Sequence, residues 1–128
     1  VEEKEIRFTF KKWERLRKKK EFQSVFESGR KTAGKLLVLV YKENELGFPR
    51  AGFIVSKKVS KKAVERNRAK RLMRETFRLN KHLLKPFDII FIAKKEILGK
   101  KRQDVEKDFL SIASRSGLLD EKRVDKDN

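Results

Sequence analysis

The stretch Lys57 to Arg78, KKVSKKAVERNRAKRLMRETFR, holds the densest set of side chains able to act on a ligand. Lys57, Lys58, Lys61, Lys62, Arg66, Arg68, Lys70, Arg71, Arg74 and Arg78 are cationic, against Glu65 and Glu75 as the only acids. Ala69, Leu72, Met73, Thr76 and Phe77 recur at helical spacing, so one face of a helix can pack on a core. Asn67, Lys70, Arg71, Arg74 and Arg78 then share the opposite face at i, i+3, i+4, i+7 and i+11. Like charges at i and i+4, as in Lys70/Arg74 and Arg74/Arg78, disfavour an isolated helix by a few tenths of a kcal/mol each. A solvated surface helix usually mixes both signs. A stripe of cationic forks with little acid to offset it calls for a polyanion.

Composition points the same way. The chain has 128 residues and a net charge of +17, which makes nucleic acid the first partner to consider and an anionic membrane the second. No apolar run approaches the roughly 20 residues of a membrane span. The start, VEEKEIRF, lacks an apolar signal core, so secretory targeting is not expected. There is no cysteine, which excludes disulfides, thiolate metal sites and a cysteine nucleophile and fits a cytoplasmic protein. His82 is the only histidine, and a metal site built on it is not expected. No nucleophile elbow, phosphate-binding glycine loop, metal-ligand cluster or acid–base pair is visible. Asp88, the one carboxylate beside a strong apolar run, is expected to face solvent or cap a turn.

The elements that must position the basic helix read as follows. Residues 1–14 are expected to be a polar arm with Phe8, Phe10 and Trp13 scattered along it. After the basic cluster Arg15 to Lys20, Phe22, Val25 and Phe26 fall at i, i+3 and i+4 and predict a short amphipathic helix. The two Phe rings are either core anchors or a floor for an unstacked base, since basic residues interleaved with aromatics suit single-strand binding. Ala33 to Tyr41 predicts one buried strand and Arg50 to Ser56 a second, paired with the first as an antiparallel hairpin across the turn region Lys42 to Pro49. Gly52 within the second strand predicts a close backbone approach. Ser60 is the expected N-cap of the basic helix, which runs over 62–80. Phe87 to Ala93 predicts a central strand parallel to 50–56. Val105, Phe109, Ile112 and Ala113 predict a last amphipathic helix, stopped at Gly117. The fold class is α+β, three helices with a small mixed sheet, as one domain over 1–119 followed by a disordered tail over 120–128.

Several blocks together resemble a known family. Arg66-Asn67-Arg68 followed by Lys70-Arg71-Leu72 and Arg74 resembles the RNR signature of the bacterial ribonuclease P protein subunit. Arg15-Leu16, Glu21-Phe22, Val25-Phe26 and Gly29 are similar to its N-terminal block. Ser56-Lys57-Lys58-Val59 and Ala63-Val64 bracket the signature, and Phe87-Asp88-Ile89-Ile90 is similar to its last strand. The similarity covers about residues 8–117.

The resemblance implies an α/β sandwich like a small-subunit ribosomal protein domain, with four strands rather than the three firm ones read above. It also implies a left-handed βαβ crossover, against the general right-handed rule. It implies a heterodimeric ribonucleoprotein in which a catalytic RNA removes the 5′ leader of precursor tRNA, with Mg²⁺ held mainly by the RNA. The protein is then an endoribonuclease component without an active site of its own. Carried over by motif, Lys57, Lys58, Arg66, Asn67, Arg68, Lys70, Arg71 and Arg74 are RNA-binding residues, and Phe22 and Phe26 line the leader cleft. Val40 stands at a strand position that is aromatic in some members. The segment Lys58 to Val64 is one residue longer than the usual strand–helix connection and lacks its glycine. Three rival readings remain: a ribosomal or RNA-chaperone protein, a membrane-surface protein and a stand-alone nuclease.

Overall fold

The computed structural model describes residues 9–123. Helix α1 (Lys19–Ser28) is followed by strands β1 (Arg30–Ala33), β2 (Leu37–Glu43) and β3 (Arg50–Ile54). Helix α2 (Ala63–Asn80), strand β4 (Phe87–Ala93) and helix α3 (Arg102–Ser116) complete the order. The four strands form one mixed sheet in the order β1-β2-β4-β3, with β3 and β4 parallel and the other two pairs antiparallel.

Two expectations about the sheet are corrected. The run read as one strand over Ala33 to Tyr41 is two: β1 ends at Ala33 and β2 begins at Leu37. Strand β1, Arg30-Lys31-Thr32-Ala33, is a largely exposed edge without apolar alternation, so its pairing with β2 leaves no mark in the hydrophobic pattern. The expected hairpin between 33–41 and 50–56 also does not form, because β4 lies between β2 and β3. Ile89, Ile90 and Phe91 of β4 are completely buried on both faces, a requirement met only at the centre of the sheet. The β2–β3 connection therefore crosses the start of β4, where the Asn44 N–H donates to the Pro86 carbonyl at 3.1 Å.

Alternation along the strands sorts two layers. Leu37, Leu39, Tyr41, Ala51, Ile89, Phe91 and Ala93 face α2 and α3, meeting Met73, Phe77, Phe109 and Ile112 in the main core. Rings of Phe10, Phe53, Phe77, Phe91 and Phe109 run through it, with neighbouring centroids 5.1–6.5 Å apart. The other face of the sheet carries a smaller cluster of Leu16, Val25, Val40 and Ile90, with Phe22, Ile54 and Ile92 partly buried against it. Helix α1 covers this face.

Of the expected arm 1–14, residues 1–8 lie outside the described residues. Phe10 packs on Phe53 and Phe77, and the Glu14 carboxylate accepts a hydrogen bond from Lys81 Nζ at 2.6 Å in a buried ion pair. Of the expected tail, Asp120 donates its N–H to the Leu83 carbonyl at 2.8 Å, and 124–128 lie outside the described residues. Helix α3 ends as expected at Gly117, with φ 73°.

Asp88 does not face solvent. It is buried and takes a two-pronged hydrogen bond from Arg50, whose Nε and Nη2 reach Oδ1 and Oδ2 at 2.9 and 2.8 Å. The Asn44 side-chain amide adds a third donor at 2.9 Å. A carboxylate placed beside an apolar strand is kept there because Arg50 stands opposite it in the parallel β3–β4 register. Arg50 Nη1 also donates to Glu21 of α1 at 2.8 Å. The Glu21 carboxylate in turn accepts the N–H groups of Lys18 and Arg17 at 2.9 and 2.8 Å, closing the N-terminus of α1.

Those bonds fix the pH behaviour of the α1 anchor. The Lys18 N–H first, then the Arg17 N–H and the Arg50 guanidinium, hold Glu21 down at about 2 against an ordinary 4.5. Because the folded-state value is the lower one, this stabilisation is fully present above about pH 4.5 and disappears as the pH falls toward 2. Urea melts of wild type and Glu21→Gln are expected to differ at neutral pH and to converge at the acid end of that window.

Candidate nucleic-acid interface

Helix α2 is built on the faces that its periodicity predicts. Ala69, Met73, Thr76 and Phe77 are buried against the sheet and α3, while Asn67, Arg71 and Arg74 are exposed and Lys70 is half-buried. The apolar face is thus taken by the core, which removes the reading of α2 as a membrane-surface helix. Arg78 belongs to the same polar stripe but is held by Glu75 at 2.5 Å, which raises its pKa above the usual value and lowers that of Glu75.

The start of α2 differs from expectation. The N-cap residue is Lys62, and Ser60 acts from two residues further back. Its hydroxyl accepts the Lys62 N–H at 3.1 Å and donates to Glu65 Oε1 at 2.5 Å. The β3–α2 connection has no glycine and contains no left-handed residue. A turn closed by the Val59 N–H on the Ser56 carbonyl at 3.0 Å does the work, and no non-glycine residue in the described chain has positive φ. Lys57 and Lys58 stand exposed on that turn, and Val59 is buried as its peg.

Two signature arginines have partners within the chain. Arg66 Nη1 donates to the Ser60 and Lys61 carbonyls at 2.9 Å each, fastening the lysine-bearing turn to α2. Arg68 Nη2 donates to the Lys100 carbonyl at 2.7 Å and holds the basic connector before α3. Each guanidinium has five donors, so both keep N–H groups for an external acceptor.

On the opposite face of the sheet, Phe22 lies directly over Gly52. A Cβ at Gly52 would sit 2.5 Å from the ring, which is the close approach that a glycine in a strand predicts. Phe22 is partly buried in the small cluster, and Phe26, one turn along α1, is 47% exposed. Val40 is buried beneath α1 and offers no stacking surface.

These parts converge at the outer edge of β3, where the segment Arg15-Leu16 is bridged to Ala51. A groove of about 200 Å³ is lined by Phe22 and Leu16 on one side, Lys70 and Arg74 on the other, and the backbone of Ala51 to Phe53 between them. Arg15 completes it, with its guanidinium 4.7 Å from the Phe10 ring centroid. Sequence reasoning gave Arg15 no role. Its signals are membership of the basic cluster 15–20 and of the N-terminal block Arg15-Leu16, and the contact that selects it is made by the fold. Among the described residues, no group of three or more His, Asp or Glu side chains could hold a metal ion.

The family described as Ribonuclease P matches residues 10–117 of the chain. The chain belongs to the ribonuclease P protein family. A ribonuclease P protein component from Syntrophus aciditrophicus is 44% identical over 100 residues, spanning 77% of this chain and 83% of the relative. One from Alkaliphilus oremlandii is 38% identical over 106 residues, spanning 82% and 92%. The solved ribonuclease P protein of Thermotoga maritima superposes with a TM-score of 0.71 at 32% identity, over 80% of this chain and 96% of that one. The chain is accordingly the protein component of a tRNA-processing endoribonuclease, and the α+β fold with a four-stranded mixed sheet is that of the ribonuclease P protein.

Proposed function

We propose that this ribonuclease P protein binds the catalytic RNA through the cationic stripe of α2 and holds the 5′ leader of precursor tRNA along α1, promoting removal of the leader. Asn67, Lys70, Arg71 and Arg74 contact the RNA directly. Arg66 and Arg68 contact it while holding their loops, and Lys57 and Lys58 extend the same positive surface. Phe22 and Phe26 receive the leader, whose unpaired bases suit aromatic platforms. Bond cleavage is carried by the RNA, with Mg²⁺ held mainly there, and the complex is a cytoplasmic heterodimeric ribonucleoprotein.

The observation that carries this reading is the groove at the β3 edge. It brings Phe22 of α1 within one cavity with Lys70 and Arg74 of α2, residues about fifty positions apart. A strand lying there meets an aromatic ring on one wall and phosphate-binding cations on the other.

The test is precursor-tRNA cleavage by a bacterial ribonuclease P RNA at low Mg²⁺, with and without the protein, on substrates with long and very short leaders. Stimulation that grows with leader length is the expected result. No stimulation, with tight but indiscriminate RNA binding, would instead make the chain a general RNA chaperone.

Phe26→Ala separates recognition from folding. A core ring would cost about 3–5 kcal/mol of stability on truncation. A ring this exposed is expected to cost less than about 1 kcal/mol. Leader affinity is expected to fall by about 1–3 kcal/mol, the range for losing one base-stacking partner. Thermal melts and binding of long-leader against leaderless precursor read the two effects separately.

A further inference from the structure

The short 3₁₀ turn Lys12–Glu14 is fastened on three sides, yet it presents the chain's one tryptophan to solvent. Before it, Phe10 is packed on Phe53 and Phe77. Within it, Glu14 is ion-paired to Lys81. After it, the Leu16 N–H donates to the Ala51 carbonyl at 2.9 Å. Trp13, between these anchors, is 62% exposed. A large apolar ring on a rigid backbone, left in water, is a surface that gains by being covered.

Trp13 borders a hollow of about 640 Å³ whose other apolar walls are Leu46 and Phe48 of the β2–β3 connection. That volume is in the range of ligand sites, roughly 300–1,000 Å³. Lys12, Arg15, Arg17 and Lys18 surround it. Its one carboxylate, Glu21, is already bonded to Arg50, so it does not offset these cations. Lys12, Arg17 and Lys18 are exposed and have no ion pair among the described residues. Arg15 lines both this hollow and the β3-edge groove, so the two adjoin at its side chain.

We propose that the hollow is a second nucleotide site, in which an unpaired base stacks on Trp13 against Leu46 and Phe48 while flanking phosphates lie on Lys12, Arg17 and Lys18. The occupant is a single-stranded segment of RNA reaching past the groove. The site rests on the RNA-binding reading above, but not on which RNA fills the groove. Cations ringing an exposed indole match the combination by which single strands are held, charge for the backbone and a ring for the base.

Because Trp13 is the only tryptophan, its emission reports on the site directly. The full chain is titrated with a short single-stranded oligoadenylate and with an abasic strand carrying the same number of phosphates. Saturable, salt-sensitive quenching by oligoadenylate and little by the abasic strand is expected. By anisotropy of a labelled oligoadenylate, Trp13→Ala is expected to weaken binding roughly 5- to 150-fold and Trp13→Phe much less. Equal quenching by both strands, or oligoadenylate binding that leaves Trp13 emission unchanged, overturns the proposal. So does a response to anionic phospholipid vesicles with none to oligoadenylate. Leader-dependent cleavage is measured alongside. Quenching without stimulation of cleavage would sink the leader reading and leave the Trp13 site standing, and stimulation without quenching would do the reverse.

Discussion

Arg50→Ala is expected to lower the stability of the folded chain by about 3 kcal/mol, the lower end of the range for breaking a buried ion pair. Arg50 joins two carboxylates, Asp88 at the start of β4 and Glu21 at the start of α1. Asp88 first, and Glu21 after it, raise the Arg50 pKa above its usual value, so the charge is secure across the accessible pH range. Its removal leaves Asp88 buried with only the Asn44 amide. It also frees the end of α1 that carries Phe22. Partial solvent access to all three side chains sets the estimate at the lower end. Arg50→Lys keeps the charge but not the paired donors and is expected to recover only part of the loss. Urea melts of the three proteins measure this. A loss below about 1 kcal/mol for Arg50→Ala would put the network among ordinary surface ion pairs.

Removing both Arg71 and Arg74 is expected to have the largest effect on RNA binding and almost none on folding. Both are exposed, and neither has an ion pair among the described residues. Replacing Arg74 by alanine also relieves like-charge repulsion with Lys70, worth a few tenths of a kcal/mol. Each charge-assisted contact to phosphate contributes about 1.5–3 kcal/mol. The double variant is therefore expected to bind ribonuclease P RNA weaker by about 3–6 kcal/mol. Each lost phosphate contact should also reduce the steepness of log K against log salt by about 0.7–0.9. Filter binding over a salt series gives both numbers. An unchanged salt slope would mean that these arginines do not meet phosphate. A folding loss as large as the binding loss would mean that the faces of α2 are reversed.

The α2 stripe was readable because a long helix writes its faces into the chain at a period that local geometry enforces. Ala69, Met73 and Phe77 on one side, and Asn67, Arg71 and Arg74 on the other, fall where that period puts them. The same holds for Val105, Phe109, Ile112 and Ala113 of α3, and for β4, whose apolar run marks a strand buried on both faces. Strand β1 escaped because an exposed edge strand of four residues buries too little to leave a pattern. The neighbour of β2 escaped because strand order is decided by which strand most needs burial, a comparison among strands far apart in the chain. Asp88 departs from expectation for a related reason. A buried carboxylate is tolerated only opposite its cation, and the β3–β4 register that supplies Arg50 is not local information.

By itself, then, the order of residues determined the charge, the helices and their faces, and, through the RNR blocks, the ribonuclease P family, since all of these depend on neighbours within a few turns of chain. Only the tertiary structure decided which cations also hold the fold and which stand exposed. It drew Arg66, Arg68 and Arg78 into contacts with Ser60, Lys61, Lys100 and Glu75. It left Arg71, Arg74, Phe26 and Trp13 exposed. Whether a charged or aromatic side chain faces solvent depends on what folds against it, and those partners come from across the whole chain.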